Sequence, residues 1–150
     1  MPGFESIEEL RARLAAERYL VDEGLATVVF LALRLPRPLQ RRCLYHWIEH
    51  PDLEREVEIV RSRLPALPER LVRQVCAFTQ DLRWLDLHRV PGVGETLDWV
   101  QSLAELGRDE LDPATVDRTL GTLVKTRDDL QRVRAEGLDE RVRRAVDGAA

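Results

Sequence analysis

The chain has 150 residues, 44% of them apolar and 33% charged, which is typical of one soluble, helix-rich globular domain. Its net charge of −4 comes from interleaved acidic and basic residues, so no basic stripe predicts binding to nucleic acid. The longest apolar run, LATVVFLALRL, is about half the length of a membrane span, and the amino terminus lacks the pattern of a signal peptide. We therefore expect a cytoplasmic protein without a membrane segment, and the two cysteines predict no disulfide framework.

Two helices are predicted first along the chain. Ser6 and Glu9 form a capping box at the start of SIEELRARLAAE. Asp22 is the predicted cap of VDEGLATVVFLALRL, whose apolar content predicts a buried helix. Pro36 and Pro38 then interrupt regular structure. The next stretch, CLYHWIEHP, is rich in β-branched, aromatic and apolar residues and predicts one short strand with no partner strand in the chain.

The remainder is predicted to be helical. Asp52 caps LEREVEIVRSRL, and Pro68 begins ERLVRQVCAFTQDLRWLDL. A third helix covers GETLDWVQSLAEL, and a fourth, capped by Asp112, covers PATVDRTLGTLVKTRDDLQRV. Because each carries apolar residues at helical spacing, we predict a four-helix bundle over about residues 52–130. The last segment, LDERVRRAVDG, is charged and is expected to fray.

RVPGVGETLDW ends like a phosphate-binding loop, whose pattern is GxxxxGK[ST]. Glu95 stands where the lysine belongs, and the position five before Gly94 is Arg89 instead of glycine. The single lysine of the chain, Lys125, follows Val124 where the pattern needs glycine. The sequence therefore excludes a P-loop anywhere in the chain.

Cys43, His46 and His50 have the spacing C-x2-H-x3-H, which suits zinc if the segment is helical. In the predicted strand, Cys43 and His46 would point to opposite faces. A fourth ligand is not evident either. We therefore predict no metal site.

No residues combine into a predicted catalytic centre. His88 has no nucleophile close in sequence and is expected to face solvent. Trp84 and Trp99 favour a core or an interface over stacking on a ligand. Arg41 and Arg42 lie between a proline-fixed turn and the predicted strand, so they fit either a solvated charge pair or an anion-contacting finger.

Two stretches resemble the MoxR-type AAA+ ATPases, most closely the group linked to carbon monoxide dehydrogenase maturation. Residues 4–39 are similar to the segment that precedes the P-loop in that family. Residues 40–130, with RRCLYHWIEHP and GVGETLDW, are similar to its last core strand and helical lid. Leu39 is followed directly by Gln40, so the P-loop, the metal-binding Asp-Glu strand and the sensor strand of the family are missing.

The resemblance implies a mainly α fold: an AAA+ helical lid bundle preceded by two helices and one short orphan strand. The implied segments are an amino-terminal helical segment at 1–39, a remnant of the last core strand at 40–51, the lid at 52–135 and a charged tail at 136–150.

The family binds ATP and Mg²⁺, but no cofactor is expected for this chain alone because the core is missing. Arg41 and Arg42 are arginine-finger candidates by this resemblance. The glycines of the lid turn are expected to give it its backbone angles, and Glu95 to favour the positive end of the lid helix. The regions that border the adenine in the family correspond to Tyr19, Leu20, Val21, Gly92, Val93, Gly94 and Glu95.

The resemblance implies an assembly or protein-interaction module without ATPase activity of its own. Its expected partners are a second copy, AAA+ subunits or a protein with a von Willebrand factor type A domain. The alternatives are a truncated, inert ATPase fragment and a self-standing helical interaction protein. Self-association is expected because eight apolar residues would lack the central sheet on which they pack in the family: Val28, Val29, Phe30, Leu33, Leu44, Tyr45, Trp47 and Ile48.

Overall fold

The computed structural model describes residues 4–34 and 49–149. Within these residues the chain forms α-helices and no strand, which confirms the mainly α fold. Most of the predicted strand, residues 43–48, lies outside the described residues, and residues 49–51 are not in a strand. The helices are α1 (Ile7–Ala16), α2 (Glu23–Arg34), α3 (Leu53–Arg63), α4 (Glu69–Leu82), α5 (Val93–Glu105), α6 (Pro113–Leu123), α7 (Arg127–Ala135) and α8 (Leu138–Asp147).

The chain divides into two compact units, Met1–Glu49 and His50–Ala150. The first unit contains α1 and α2, which pack on each other. Ser6 accepts a hydrogen bond from the Glu9 amide at 3.1 Å, as predicted for a helix cap. The carboxylate of Glu9 accepts from the amide of Glu5 instead of closing the box on Ser6.

The prediction that α2 is a buried helix is wrong. Ala26 is its one buried residue, while Leu31 is 40% exposed and Leu33 is 61% exposed. A high apolar content normally indicates a helix covered on several sides. Among the described residues of this unit, the apolar side chains that are buried are Leu10 and Ala26.

The second unit is a bundle around α4, which packs against α3, α5 and α8. Asp52 and Asp112 cap α3 and α6 through their side chains, as predicted. Phe78 and Trp99 lie at the centre of the core with ring centroids 5.4 Å apart. The predicted apolar stripes of the four helices supply much of this core: Val57, Val60, Leu71, Val75, Phe78, Leu82, Val100, Leu103, Val116, Leu120, Leu123 and Val124.

The described residues of the second unit form six helices, whereas the prediction was a four-helix bundle over about residues 52–130 followed by a frayed segment. The predicted fourth helix ends at Leu123, because Val124 adopts an extended backbone and Thr126 caps α7 by accepting from the Asp129 amide. The prediction of a frayed tail is also wrong. Leu138, Val142 and Ala145 lie on one face of α8 and are buried in the core, so the charged residues occupy only its other faces.

Candidate functional site

The residues of the predicted lid turn, Gly92, Val93, Gly94 and Glu95, lie at the start of α5. Gly92 is the N-cap residue, and the Glu95 carboxylate returns to accept a hydrogen bond from the Gly92 amide at 3.1 Å. This places the negative charge at the positive end of the helix, as expected. The expected reason for the glycines is wrong, because Gly92 has an ordinary φ of −93° and Gly94 lies inside the first turn of α5. A Cβ on Gly92 would stand 3.2 Å from the Glu95 carboxylate, so glycine leaves room for this cap.

Directly beneath the turn lies a buried ion pair between α3 and the end of α4. Glu56 is 0% exposed, and the side chain of Arg83 is 7% exposed. The guanidinium donates two hydrogen bonds of 2.7 Å to the two carboxylate oxygens. This paired geometry satisfies both groups in an environment where an unpaired charge would be costly.

Neighbouring polar groups complete the network around Glu56. The Thr96 hydroxyl donates to one carboxylate oxygen at 2.8 Å, and the Gln80 amide donates to the other at 2.7 Å. Arg83 also donates through Nε to the Pro91 carbonyl at 3.0 Å. The network therefore ties α3, α4 and α5 to the segment before the lid turn. With all of its charges satisfied internally, it holds structure and leaves no group poised for catalysis.

Cys76 lies in the same part of the core. Burial raises the pKa of its thiol far above the usual range, and the nearby Glu56 carboxylate adds to this shift. A thiol that stays protonated is a poor nucleophile. Cys76 is therefore a packing residue.

We call residues 83–91, which connect α4 to α5, the Trp84 corner. Arg83 anchors the start of the corner through its bonds to Glu56. A second anchor is Asp129 of α7, which is buried and accepts hydrogen bonds from the backbone amides of His88 at 2.8 Å and Arg89 at 3.1 Å. Burial by itself would raise the pKa of Asp129. The hydrogen bonds from His88, Thr126 and Arg89 outweigh burial and hold that pKa below its usual value.

The two predicted tryptophans have opposite environments. Trp99 is fully buried, and its indole N–H donates to the Thr119 hydroxyl at 2.9 Å. Trp84 is 87% exposed at the first turn of the corner. A core or an interface was expected for both residues. Trp99 lies in the core, whereas Trp84 lies outside it.

The remaining predicted site residues are distributed as follows. Tyr19, Leu20 and Val21 lie in the connection between α1 and α2 of the first unit, with Tyr19 exposed. The arginine-finger candidates Arg41 and Arg42 lie outside the described residues. Gly92, Val93, Gly94 and Glu95 lie together at the start of α5.

Sequence reasoning missed the buried network, although a signal was present. Glu56 falls on the same helical face as Leu53, Val57 and Val60, and Arg83 continues the buried face of Cys76 and Thr79. A charged residue in an apolar stripe indicates a buried partner of opposite charge. Which residue is that partner cannot be read from the spacing.

Two clefts of the second unit each have an ion pair in their walls. One, of about 470 Å³, includes Arg73 and Glu54, whose side chains are 2.7 Å apart. The other, of about 740 Å³, includes Arg70 and Glu110, whose side chains are 2.5 Å apart. Most residues that line each cleft are charged or polar, whereas a small-molecule site is usually lined by apolar side chains.

No protein-family model, no curated protein and no solved structure matches this chain. In the described ranges 4–34 and 49–149, no group of three or more His, Cys, Asp or Glu residues is placed to hold a metal ion. None of the helices described there combines the length and the apolar character needed to cross a bilayer.

Proposed function

We propose that this chain is a protein-interaction module that descends from the MoxR-type AAA+ ATPases and has lost their nucleotide-hydrolysing core. It acts in the cytoplasm as an assembly module related to metalloenzyme-maturation chaperones. The proposal is supported by the helical bundle of the second unit, whose helix α5 begins with the motif GVGETLDW. The buried network beneath that motif gives the lid turn a fixed mounting.

The observation that best supports an interaction role is the exposure of large apolar side chains on α2. Leu31 and Leu33 are 40% and 61% exposed, and Phe30 beside them is only partly buried, under the Arg34 guanidinium at 4.7 Å. A large apolar side chain left in water forgoes about 1.5–3 kcal/mol of burial. Phe30 and Leu33, three residues apart, share one face of this helix, and large apolar side chains that a helix leaves exposed are a feature of interaction surfaces.

We favour a second copy of the chain as the partner that covers this surface, because it presents the same apolar helix and the two can pack symmetrically. The other partners within the proposal are a subunit of an intact MoxR-type ATPase and a protein with a von Willebrand factor type A domain. A pull-down with the tagged chain in its native host distinguishes these. Recovery of neither kind of protein would count heavily against a role in AAA+ assemblies.

We expect the wild-type chain to form dimers or larger species, and Leu31→Glu with Leu33→Glu to shift it toward monomer. Each glutamate places a charge where apolar contact is required, so burial against a second copy becomes costly. Multi-angle light scattering at 10–200 µM measures the change. Phe30→Glu with Trp47→Glu should act in the same direction, although Trp47 lies outside the described residues.

The matched control is Gln101→Glu with Arg143→Gln, which makes the same change of −2 in charge at two exposed positions of the second unit. This variant should associate like the wild type. A wild-type chain that is monomeric at 200 µM and binds no hydrophobic dye would contradict the proposal. It would favour a self-standing helical protein, whose core the second unit already supplies.

We expect the chain to have no measurable affinity for ATP. The P-loop lysine, the loop backbone that cradles the phosphates and the carboxylates that hold Mg²⁺ are all missing from the sequence. Contacts of the base with Tyr19–Val21 or with the lid turn alone would be too weak to detect. Isothermal calorimetry with Mg-ATP checks this, with an intact MoxR-type ATPase as the positive control. Saturable binding at micromolar concentration would show that the nucleotide function is retained.

A further inference from the structure

The Trp84 corner presents an aromatic side chain that the core does not use. Trp84 is 87% exposed, and Val90 near the other end of the corner is 38% exposed. Arg83 bonds to the Pro91 carbonyl, so the two ends of the corner next to Trp84 and Val90 are held close together. Exposed tryptophan is uncommon, and tryptophan is among the residues that contribute most to protein interfaces.

The corner is fixed in place at several points. Arg83 is held in the Glu56 network, and the backbone amides of His88 and Arg89 are held by Asp129. The Arg132 guanidinium binds the Asp86 carboxylate at 2.8 Å. A loop that is already ordered loses little conformational entropy when a partner binds. The structure therefore holds the backbone at Trp84 in a fixed position.

The charged side chains around the corner include more basic than acidic groups. Asp129 joins the corner to the start of α7, where Lys125 and Arg127 are exposed. Within the described residues, the side chains of Arg89, Lys125 and Arg127 make no ion pair, whereas the exposed carboxylate of Asp86 pairs with Arg132. The carboxylate of Asp128 is exposed in this region, and that of Asp129 is buried beneath the corner. Four cations, Arg89, Lys125, Arg127 and Arg132, thus face three carboxylates, Asp86, Asp128 and Asp129, so this part of the surface has an excess of positive charge although the whole chain is acidic.

We propose that the Trp84 corner docks an acidic segment of a partner protein that carries large apolar side chains. The apolar side chains pack on Trp84 and Val90, and the carboxylates pair with Arg89, Lys125 and Arg127. The inference rests on the proposed role as an interaction module and adds the chemistry of one partner. A protein segment fits better than nucleic acid, because Trp84 and Val90 offer apolar contact and the basic side chains do not form the long stripe that a phosphate backbone needs.

A display selection with random 12-residue peptides on phage tests the proposal against the full chain. We expect the selected peptides to be enriched in Asp and Glu together with Leu, Phe or Trp. Their affinities are then measured by fluorescence anisotropy with synthetic, labelled copies. Trp84→Ala should weaken binding at least tenfold, and Arg89→Gln with Arg127→Gln should weaken it by a similar factor and reduce its dependence on salt.

Leu106→Ala is the matched control, because Leu106 is an exposed apolar residue of the same unit outside the corner. It should leave peptide affinity unchanged. Since Trp84 is largely exposed, Trp84→Ala should also keep the wild-type circular dichroism and unfolding midpoint, so that a loss of binding reports contact. Selection of basic peptides or of none, or peptide binding that is insensitive to Trp84→Ala, would overturn the proposal. Tighter binding of a 15-residue oligothymidine than of any peptide would do so as well.

The same affinities are measured on the Leu31→Glu, Leu33→Glu protein. If α2 does not mediate association, that variant matches the wild type in light scattering, and the peptide result still decides the role of the corner. If the corner binds no acidic peptide while α2 mediates association, only the inference about the corner is lost. The two proposals therefore fail separately.

Discussion

Replacing Arg83 with methionine is expected to lower the free energy of unfolding by about 3–5 kcal/mol. The variant leaves the fully buried carboxylate of Glu56 with hydrogen bonds from Thr96 and Gln80 but without a counter-charge. It also removes the bond that holds the Pro91 carbonyl at the lid turn. Urea denaturation at neutral pH, followed by far-ultraviolet circular dichroism, measures the change.

The matched control is Arg73→Met. Arg73 pairs with Glu54 at 2.7 Å, but the side chains are 30% and 71% exposed. Because water screens such a pair, its loss should cost less than about 1 kcal/mol. If Arg83→Met proved as mild as Arg73→Met, the Glu56–Arg83 pair would be hydrated in solution instead of buried.

A second variant separates the cost of leaving one charge unpaired from the contribution of the ion pair to the free energy of unfolding. Arg83→Met combined with Glu56→Gln removes both charges while keeping an amide that can bond to Thr96. This double variant should be more stable than Arg83→Met alone, because no charge is left buried without a partner. A double variant that is less stable than the single one would show that Glu56 does not depend on Arg83.

The features that the sequence predicts well are local. Ser6, Asp22, Asp52 and Asp112 each accept a hydrogen bond from an amide three residues later, and this pattern is visible in the sequence. The apolar stripes of the second unit are likewise local, because helical spacing by itself places them on one face. Tertiary packing of the second unit then brings these apolar faces together.

The break between α6 and α7 was also visible locally. Thr126 with Asp129 three residues later is a helix-start signal, but the apolar spacing of Val116, Leu120 and Leu123 extends without a gap into the next segment. The apolar periodicity predicts one long helix, whereas the Thr126 cap divides it into α6 and α7. The break matters for the candidate site because it brings Asp129 to the Trp84 corner.

The pairs that build the candidate site could not be predicted from the sequence. Glu56 and Arg83 are 27 residues apart, and Asp129 is 41 residues from His88. Contacts at such separations depend on how helices cross, which the periodicity of single helices does not specify. The same limit applies to Trp84, since its place in the predicted helix, which extends beyond the end of α4, is compatible with a core or an interface.

Replacing Asp129 with alanine is expected to lower the free energy of unfolding by about 2–3 kcal/mol, because the amides of His88 and Arg89 lose their acceptors. Hydrogen exchange at these two amides should become faster at the same time. Asp128→Ala is the matched control, since Asp128 is the exposed neighbour in the same first turn of α7. It should change the free energy of unfolding by less than about 0.5 kcal/mol.

The pH dependence gives Asp129 a separate signature. Its pKa is lower in the folded chain than in the unfolded chain, so the unfolded state binds the proton more tightly. The stability that Asp129 contributes is therefore fully present above the ordinary aspartate pKa of about 4 and is lost as the pH falls through the folded value. The difference in unfolding free energy between wild type and Asp129→Asn should be constant from pH 7 to 5 and shrink below pH 4. A difference that grows on acidification would mean that Asp129 is protonated more readily in the folded chain, and that its carboxylate does not hold the Trp84 corner.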